Sequence, residues 1–299
     1  MLQMQEIYDV NDGIIIVNKP PNCTSHDIVA RIKKITQKKV GHTGTLDPLA
    51  QGVLPILLGK GTLCSKYIIN HDKTYKVTIK LGETTKTLDR EGEIIEKREV
   101  SRKIFDKDFL ENNIRKFVGK QEQIPPIYSA IKVNGKKLYE YARKGQDIEI
   151  KPRNIEIYDI QINNINSEEN EITLIVKCSK GTYIRSLCKD ISEKIGTIGY
   201  MKELQRLQVG EFTLENSITL ENDEQMDIQK IMKNIITIEQ IFLKNDKIEL
   251  EQNKLKHFLN GVKITVNKSD GIYRIYKDNN IFIGIGIVEH NLLKRDIIL

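Results

Sequence analysis

The stretch from Gly41 to Gly59 joins a turn rich in glycine and threonine to a long apolar run, with one carboxylate, Asp47, between them. The glycines of the turn can adopt backbone angles that other residues avoid, and Pro48 pushes Asp47 towards an extended conformation. Such a turn can fix a carboxylate and present it outward. A structural alternative remains, in which Asp47 caps a helix over residues 49–58 with Pro48 at its first position.

Strands and helices are predicted to alternate irregularly along the chain. Residues 74–82 alternate apolar and polar side chains, as half-buried strands do, and shorter apolar runs predict strands at 13–17 and a hairpin of 155–162 with 172–178. Helical spacing of apolar residues predicts helices after the capping-box pair Thr24 and Asp27, at 109–118 and at 184–195. This irregular order favours an α+β fold with a mixed, mainly antiparallel sheet.

The length of 299 residues exceeds what one core usually organises, so we expect a large domain and a small one. Residues 220–243 look like a connector, and the strand-like pieces 262–266, 272–276 and 281–288 predict a small β-rich terminal domain. We therefore expect a domain of residues 1–245 and a second of 246–299. A long loop at about 123–150, with a short helix near 138–144, is predicted to be an insertion in the first.

The charge balance permits a polyanionic partner. Lys and Arg number 47 against 41 Asp and Glu, a formal charge of +6, and basic residues cluster at 31–39 and 132–144. A solvated helix face would explain such clusters equally well.

Several classes of protein are excluded or disfavoured. The four cysteines form no Cys-x-x-Cys pair, so we expect reduced thiols and neither a zinc site nor a disulfide framework. Walker, Rossmann, His-Glu-x-x-His and Gly-x-Ser-x-Gly signatures are absent. The N-terminal residues show no signal-peptide pattern, and no apolar run approaches the roughly 18 residues needed to span a membrane. These features favour a cytoplasmic protein.

Taken singly, the other polar candidates have ordinary explanations. His42, near Asp47, is more simply explained as a hydrogen-bonded structural histidine than as a catalytic base. Tyr75, on the apolar face of its strand, is more simply explained as a core aromatic. Tyr183 and Arg185 lie in a first helical turn, where arginine is ordinarily solvated. The residues alone leave these alternatives open.

Four blocks in fixed order carry a resemblance to a known family. They are Gly13–Pro20 with Thr24-Ser25, Gly41–Ala50 with Gly52–Pro55, Gln123–Lys132 with Gly135 and Leu138–Arg143, and Cys178–Arg185. With these blocks the chain resembles the bacterial tRNA pseudouridine-55 synthases of the TruB type, from about residue 10 to 215.

The resemblance implies an enzyme that cleaves the glycosidic bond of a uridine, turns the base over and rejoins it through C5, without metal or organic cofactor. It implies that Asp47 is the nucleophile, and leaves open whether the attack is at C6 of the base or at C1′ of the sugar. Arg185 would supply a cation whose planar fork orients Asp47 and keeps the pKa of its carboxyl low.

The remaining site residues follow from the same resemblance. Tyr75 would lie against the flipped uracil and help to move a proton at C5, and His42 would wedge into the space that the base leaves. Tyr183 and Leu204 would line the uracil pocket, and Lys19 is a further expected substrate-binding residue.

The resemblance also implies a tRNA partner. The basic insertion would clamp the T arm, and the last ~50 residues would be a PUA-like RNA-binding domain near the end of the acceptor stem. A monomer that needs no protein partner and no membrane is expected.

Three rival functions differ in what they require. An RNA-folding protein of the same fold could tolerate loss of Asp47 or Arg185, and both are present. An RNA-guided relative would act with partner proteins, whereas the insertion and the compact C-terminal segment favour a stand-alone enzyme. A glycoside hydrolase needs a second carboxylate, for which Asp89 is the nearest candidate, although a turn or supporting role suits it better.

Overall fold

A computed structural model of the protein describes residues 10–221 and 223–299, so the prediction made for the extreme N-terminus falls outside the described residues. The strands, in chain order, are β1 (Gly13–Lys19), β2 (Val40–His42), β3 (Gln51–Leu58), β4 (Lys73–Leu81), β5 (Glu83–Thr85), β6 (Ile94–Lys97), β7 (Gly119–Gln123), β8 (Lys132–Val133), β9 (Lys136–Lys137), β10 (Arg153–Asn166), β11 (Glu171–Cys178), β12 (Gly199–Val209), β13 (Phe212–Thr213), β14 (Ile236–Thr237), β15 (Lys247–Glu249), β16 (Ile264–Thr265), β17 (Gly271–Lys277), β18 (Ile281–Glu289) and β19 (Leu292–Ile298). The α-helices are α1 (Ser25–Thr36), α2 (Ser65–Ile68), α3 (Lys107–Ile114), α4 (Leu138–Arg143), α5 (Ile184–Lys194), α6 (Glu224–Asn234), α7 (Ile238–Ile241) and α8 (Gln252–Leu259).

The larger sheet has the strand order β14-β1-β3-β12-β4-β11-β10-β7, with β2 paired to β3 and β13 paired to β12. Strands β3 and β12 run parallel, and the other strand pairs of this sheet are antiparallel. The predicted α+β class with a mixed, mainly antiparallel sheet is confirmed.

The elements with clear periodicity form where the pattern predicts them. Strand β4 covers the alternating stretch, and β10 and β11 form the predicted hairpin. Helix α1 begins with the capping box, in which the Thr24 hydroxyl accepts from the Asp27 backbone N–H and the Asp27 carboxylate accepts from Thr24. Helix α5 ends just before Gly196, whose φ of 89° suits a glycine.

The helix considered for residues 49–58 is wrong, because that stretch is strand β3. Its residues from Gly52 to Leu58 are buried, since β3 is an interior strand of a sheet that is covered on both faces. Gly52 has a φ of 112°, and a Cβ there would lie 2.2 Å from the backbone oxygen of Arg206. Close backbone approach to β12 therefore requires glycine, and Asp47 caps no helix.

The two faces of the larger sheet pack against different partners. One face contributes to an apolar core that includes residues of α1, α3, α5 and α6. The other face joins a second core that contains Ile14 and Leu57 of the larger sheet, Phe242 after α7, and Ile285 and Ile297 of the smaller sheet. The two sheets are thus connected by shared apolar packing.

The smaller sheet is formed by residues 247–298 in the order β15-β17-β18-β19-β16. Sequence patterns predicted β17 and β18 well but missed β15, α8 and β19. Asp296 of β19 accepts hydrogen bonds from the Lys66 ammonium and the Tyr67 hydroxyl beside α2, which adds polar contacts to the packing of the two sheets. Within the residues that the structure describes, no helix has the length and apolar character needed to cross a bilayer.

Candidate active site

The loop that carries Asp47 is held in place by hydrogen bonds to the start of α1. The Leu46 N–H donates to the Ser25 hydroxyl at 2.9 Å, and the Asn22 N–H donates to the Pro48 carbonyl at 2.9 Å. Ser25 is itself almost wholly buried. The loop is therefore fixed on both sides of Asp47.

Asp47 is held by the guanidinium of Arg185 through one hydrogen bond and one further ion-pair contact. Arg185 Nε lies 3.1 Å from Oδ2 of Asp47, and Nη2 lies 3.2 Å from Oδ1. The Arg185 side chain, in the first turn of α5, is only 8 % exposed, whereas the Asp47 side chain is 33 % exposed. The arginine is thus a buried clamp and not a solvated residue, and the carboxylate it orients is still open to a ligand.

Arg185 also contacts a second carboxylate and two carbonyl groups. Its Nη1 lies 3.4 Å from Asp89 Oδ2 and donates to the Thr87 carbonyl at 3.2 Å, and Nη2 donates to the Tyr128 carbonyl at 3.0 Å. Asp89 Oδ1 accepts from the Thr87 hydroxyl at 2.6 Å and from the Glu91 N–H at 3.1 Å. Asp89 is therefore a buried supporting group. Both of its oxygens already have partners, whereas the general acid of a glycosidase needs a carboxyl group that is free to protonate the substrate.

The pKa of Asp47 departs from expectation. Burial raises the pKa of this carboxyl, and the Asp89 charge raises it further, while the Arg185 guanidinium opposes both. The expectation that Arg185 keeps the pKa low is therefore wrong, because loss of hydration outweighs the single cation. The carboxylate is kept close to Arg185 but is more basic than an ordinary aspartate.

Tyr75 and Leu204 lie in neighbouring strands, on β4 and β12, and both are buried in the first core. Burial raises the pKa of Tyr75, and the Asp47 charge raises it further, so the phenol is protonated at neutral pH. Leu204 lies opposite Val77 in the sheet and belongs to the same apolar cluster as Tyr75.

Tyr183 lies at the N-terminus of α5, two residues before the clamp. The Gln123 side chain accepts from the Tyr183 N–H at 2.8 Å and donates to the Tyr183 carbonyl at 3.0 Å. Gln123 ends β7 and begins the insertion, so the insertion is tied to the strand-to-helix turn that presents Tyr183 and Arg185.

His42 ends β2 and is half-buried next to His26, with ring centroids 5.9 Å apart in an edge-on arrangement. Burial lowers the pKa of His42, and the His26 and Arg206 charges lower it further, so the ring is uncharged at neutral pH. Its Nδ1 has no hydrogen-bond partner within the described chain. An uncharged ring suits the steric role that the resemblance implies.

Lys19 is fully buried at the end of β1. Its ammonium donates to the carbonyl oxygens of Pro20 at 2.8 Å, Cys23 at 2.6 Å and Pro48 at 3.2 Å. Burial lowers the pKa of Lys19, and the Asp47 charge partly offsets the effect. These contacts describe a group that holds the loop beside Asp47, and a direct role in substrate binding stays a prediction.

Sequence reasoning missed Arg206. This side chain of β12 is 1 % exposed, donates to the Val53 carbonyl at 2.7 Å and the Gly44 carbonyl at 3.1 Å, and lies opposite Tyr75 in the pairing of β4 with β12. The register opposite Tyr75 could have indicated it, had the pairing of β4 with β12 been predicted. Among residues 10–221 and 223–299, no group of three or more His, Cys, Asp or Glu side chains is arranged to hold a metal ion.

Family models match nearly the whole chain beyond residue 31. The model described as TruB family pseudouridylate synthase, N-terminal domain, matches residues 32–184. The model described as tRNA pseudouridylate synthase B C-terminal domain matches residues 185–244, and that of pseudouridine synthase II TruB, C-terminal, matches residues 247–294.

Similar proteins and structures agree with these models. A protein of Caldanaerobacter subterraneus subsp. tengcongensis named tRNA pseudouridine synthase B is 43% identical over 283 residues, 93% of this chain and 95% of its own. A protein of Clostridium novyi with the same name is 44% identical over 298 residues, covering 96% and 99%. A Cbf5-Nop10-Gar1 complex has a chain similar at a TM-score of 0.67 and 24% identity, covering 97% of this chain and 84% of that one. A chain in an H/ACA RNP bound to a substrate RNA containing 2'-deoxyuridine is similar at a TM-score of 0.68 and 22% identity, covering 100% of this chain and 87% of that one. These last two likenesses show the fold.

Proposed function

Because the chain belongs to the TruB family of pseudouridylate synthases, we propose that it isomerises uridine 55 in the T loop of tRNA to pseudouridine, with Asp47 as the nucleophile. In this reaction C1′ of the ribose passes from N1 to C5 of the base, C5 loses a proton and N1 gains one. The hydrogen bond and the second ion-pair contact between Arg185 and a partly exposed Asp47 carry the proposal, since together they orient one reactive carboxylate at an open position.

The proposed role of Asp47 needs an ionised carboxylate that is shielded from bulk water. Arg185 supplies a positive charge and a fixed fork, while Leu46 and the buried residues of β3 supply an apolar surrounding. The raised pKa makes the carboxylate a better nucleophile than one with a strongly depressed pKa, provided that it stays ionised near pH 7.

The target base has to leave the folded T loop to reach Asp47. Extrusion costs a few kcal/mol of lost stacking, and contact with an aromatic ring returns about 1–3 kcal/mol. Tyr75 is proposed to provide that ring, Tyr183 and Leu204 to complete the pocket, and His42 to fill the vacated space. Tyr75 and Leu204 are buried, and burial together with the Asp47 charge raises the pKa of Tyr75 and of Tyr183, which supports the roles of these three residues.

Two further parts of the chain are proposed to bind tRNA. The insertion at about 123–150 presents exposed Lys132, Lys136 and Arg143, while its first residues are hydrogen-bonded to Tyr183 and Arg185, which suits a clamp on the T arm. The unit proposed for residues 246–299, after a first domain of 1–245, would contact the acceptor stem; the separate smaller sheet of residues 247–298 supports that division.

We further propose that the enzyme acts as a cytoplasmic monomer without a partner protein. Light scattering of the purified protein at the concentration used for turnover would test the first part, and a dimer mass would contradict it. Activity of the purified chain alone tests the second part.

The decisive experiment incubates the purified protein with an unmodified tRNA transcript and EDTA, without any cofactor, and maps pseudouridine by a carbodiimide-based readout. One modified site at position 55 is expected. A transcript with cytidine at that position is the matched control and should give no signal. Modification at another uridine would refute the position, and an unmodified transcript would refute the activity.

A further inference from the structure

We infer that Arg206 is a positioning residue for the proposed reaction: its guanidinium holds the Tyr75 hydroxyl as a hydrogen-bond acceptor and favours the phenolate that removes the C5 proton. The inference rests on the proposed function. It concerns a residue that lies beside the loop of Asp47 but, within the described residues, forms no ion pair with the Asp47 carboxylate.

Arg206 ties together three parts of the site. It lies opposite Tyr75 in the β4–β12 register, so the two side chains share one face of the sheet. Its Nε and Nη2 donate to carbonyl groups of Val53 on β3 and of Gly44, three residues before Asp47. One guanidinium therefore fixes the tyrosine strand, the neighbouring strand and the catalytic loop relative to one another.

The direction of the hydrogen bond to Tyr75 follows from the chemistry of arginine. A guanidinium has N–H donors and no acceptor, so in the inferred hydrogen bond the Tyr75 oxygen accepts. The hydroxyl hydrogen of Tyr75 then has to point away from Arg206. The phenol can therefore donate to a bound base, or release its proton, while its oxygen stays in place.

The charge of Arg206 is not balanced by a carboxylate. Within the described residues its side chain donates to two carbonyl oxygens and faces Tyr75 across the strand pair, and no ion pair is formed. An unbalanced buried cation stabilises any anion formed next to it. Of the groups it touches, Tyr75 can become such an anion.

An anionic Tyr75 would complete the isomerisation. After the base is rejoined through C5, that carbon still carries its hydrogen, which passes as a proton to the phenolate oxygen. The electron pair of the C5–H bond forms the C5–C6 double bond, the N1–C6 π electrons move to N1, and N1 takes a proton from water. The phenol then returns its proton to water, so no proton is gained or lost overall.

The groups around the Tyr75 phenol shift its pKa in opposite directions. Burial raises the pKa of Tyr75, and Cys178 of β11 and Asp47 of the catalytic loop raise it further. The Arg206 charge and hydrogen bond oppose all three. Without Arg206 the phenolate would be formed at higher pH.

The test compares Arg206→Gln, which removes the charge, with Arg206→Lys, which keeps it, in single-turnover reactions on the tRNA transcript between pH 6 and 9, a range of about three units around neutrality. We expect Arg206→Gln to lower the rate at neutral pH by about a hundredfold and to displace the alkaline rise of the rate to higher pH. Arg206→Lys keeps a positive charge but not the planar fork, so it should lose less activity than Arg206→Gln and keep the wild-type pH profile. The Kd for tRNA should stay within about twofold in both variants.

A double-mutant cycle separates this role from a purely structural one. In a protein that already carries Tyr75→Phe, adding Arg206→Gln should lower the single-turnover rate by less than about threefold, because the phenol through which Arg206 acts is gone. Equal losses in both backgrounds, or equal losses for the Lys and Gln variants, would overturn the inference. If Tyr75→Phe is too slow to measure, the Lys and Gln comparison decides.

Folding and the proposed function are controlled separately. If Arg206→Gln does not unfold cooperatively, the test uses Arg206→Lys alone. A single-turnover rate of that variant more than about a hundredfold below wild type would overturn the inference. Wild-type protein in the same assay tests the proposed function: an inactive wild type refutes that function, whereas an active wild type with an additive cycle refutes the role of Arg206 alone.

Discussion

Arg185 and Arg206 are both buried, but their partners differ in charge. Arg185 lies between the carboxylates of Asp47 and Asp89, so its surroundings carry more negative than positive charge. Arg206 donates to two carbonyl oxygens and faces the Tyr75 phenol across the strand pair, so its surroundings keep a positive charge. The site is thereby divided into a carboxylate-rich side, suited to a nucleophile, and a cationic side, suited to an anionic proton acceptor.

The difference also bears on stability. A buried arginine with carboxylates loses much when one partner is removed, because the remaining charge is unpaired. An arginine solvated by carbonyl dipoles has no single partner whose loss exposes it. Substitutions on the carboxylate-rich side should therefore change stability and pH dependence together.

The largest effect on activity is expected for Asp47→Asn. Loss of the nucleophile should reduce pseudouridine formation by more than about ten-thousandfold. The melting temperature at pH 7 should nevertheless be unchanged or higher, because Arg185 keeps the Asp89 carboxylate as a partner. Folding raises the pKa of Asp47, so its contribution to stability is fully present only below the unfolded pKa and is lost as pH rises through the folded one. Asparagine does not ionise, so the variant does not lose this stability at neutral pH.

The matched control is Asp159→Asn, an exposed carboxylate outside the site, which should change neither activity nor melting. A melting temperature of Asp47→Asn lower by more than about 5 °C would contradict the stability argument. Residual turnover near the wild-type rate would contradict the nucleophile.

Arg185→Gln should have the next largest effect, because it leaves Asp47 and Asp89 without their shared cation. Stability should fall by about 3–5 kcal/mol and turnover by about a hundred- to a thousandfold. The pKa of Asp47 should rise further, which moves the acid limb of the rate profile to higher pH. Urea unfolding and a pH series of single-turnover rates measure these effects. Arg185→Lys, with the charge but not the fork, should be intermediate, and a variant equal to wild type would remove the clamp from the mechanism.

Asp89→Asn should have a smaller effect of opposite sign on the pH profile. The Asp89 charge raises the pKa of Asp47, so its removal should move the acid limb to lower pH. The rate at neutral pH should fall by about ten- to thirtyfold, because Arg185 loses one of the groups that orient it. An acid limb that moves to higher pH would show that Asp89 affects Asp47 in another way.

Lys19→Met should have the smallest effect of the four and separates two roles. A group that only holds the Pro48 carbonyl should, when removed, lower kcat by less than about tenfold and leave KM within about twofold. Steady-state kinetics on the transcript measure both. A raised KM at unchanged kcat would instead identify Lys19 as a substrate-binding residue.

Regular periodicity made part of the fold predictable. Strand β4 has one polar and one apolar face, and the capping box marks the start of α1 without ambiguity. Strand β3 was not recognisable in this way, since both of its faces are covered and its residues form an unbroken apolar run. Pro48 before that run favoured a helix, but pairing with β1 and β12 decided the outcome.

The site was predictable only where a residue belongs to a recognisable motif. Asp47 and Arg185 were predicted as partners from the resemblance, although they are far apart in the chain. Arg206 gave no local signal, because its burial depends on the carbonyl groups of Gly44 and Val53, more than a hundred residues away. The raised pKa of Asp47 was missed for a similar reason, since the extent of burial is set by the whole fold.

The second apolar core limits how the end of the chain can be dissected. Ile285 and Ile297 of the smaller sheet belong to the same cluster as Ile14 and Leu57, which lie on the reverse side of strands that support the catalytic loop. A protein shortened at residue 245 would open this interior to water. Its lower activity would then report a damaged scaffold, so point changes at exposed lysines are the cleaner way to ask what residues 246–299 recognise.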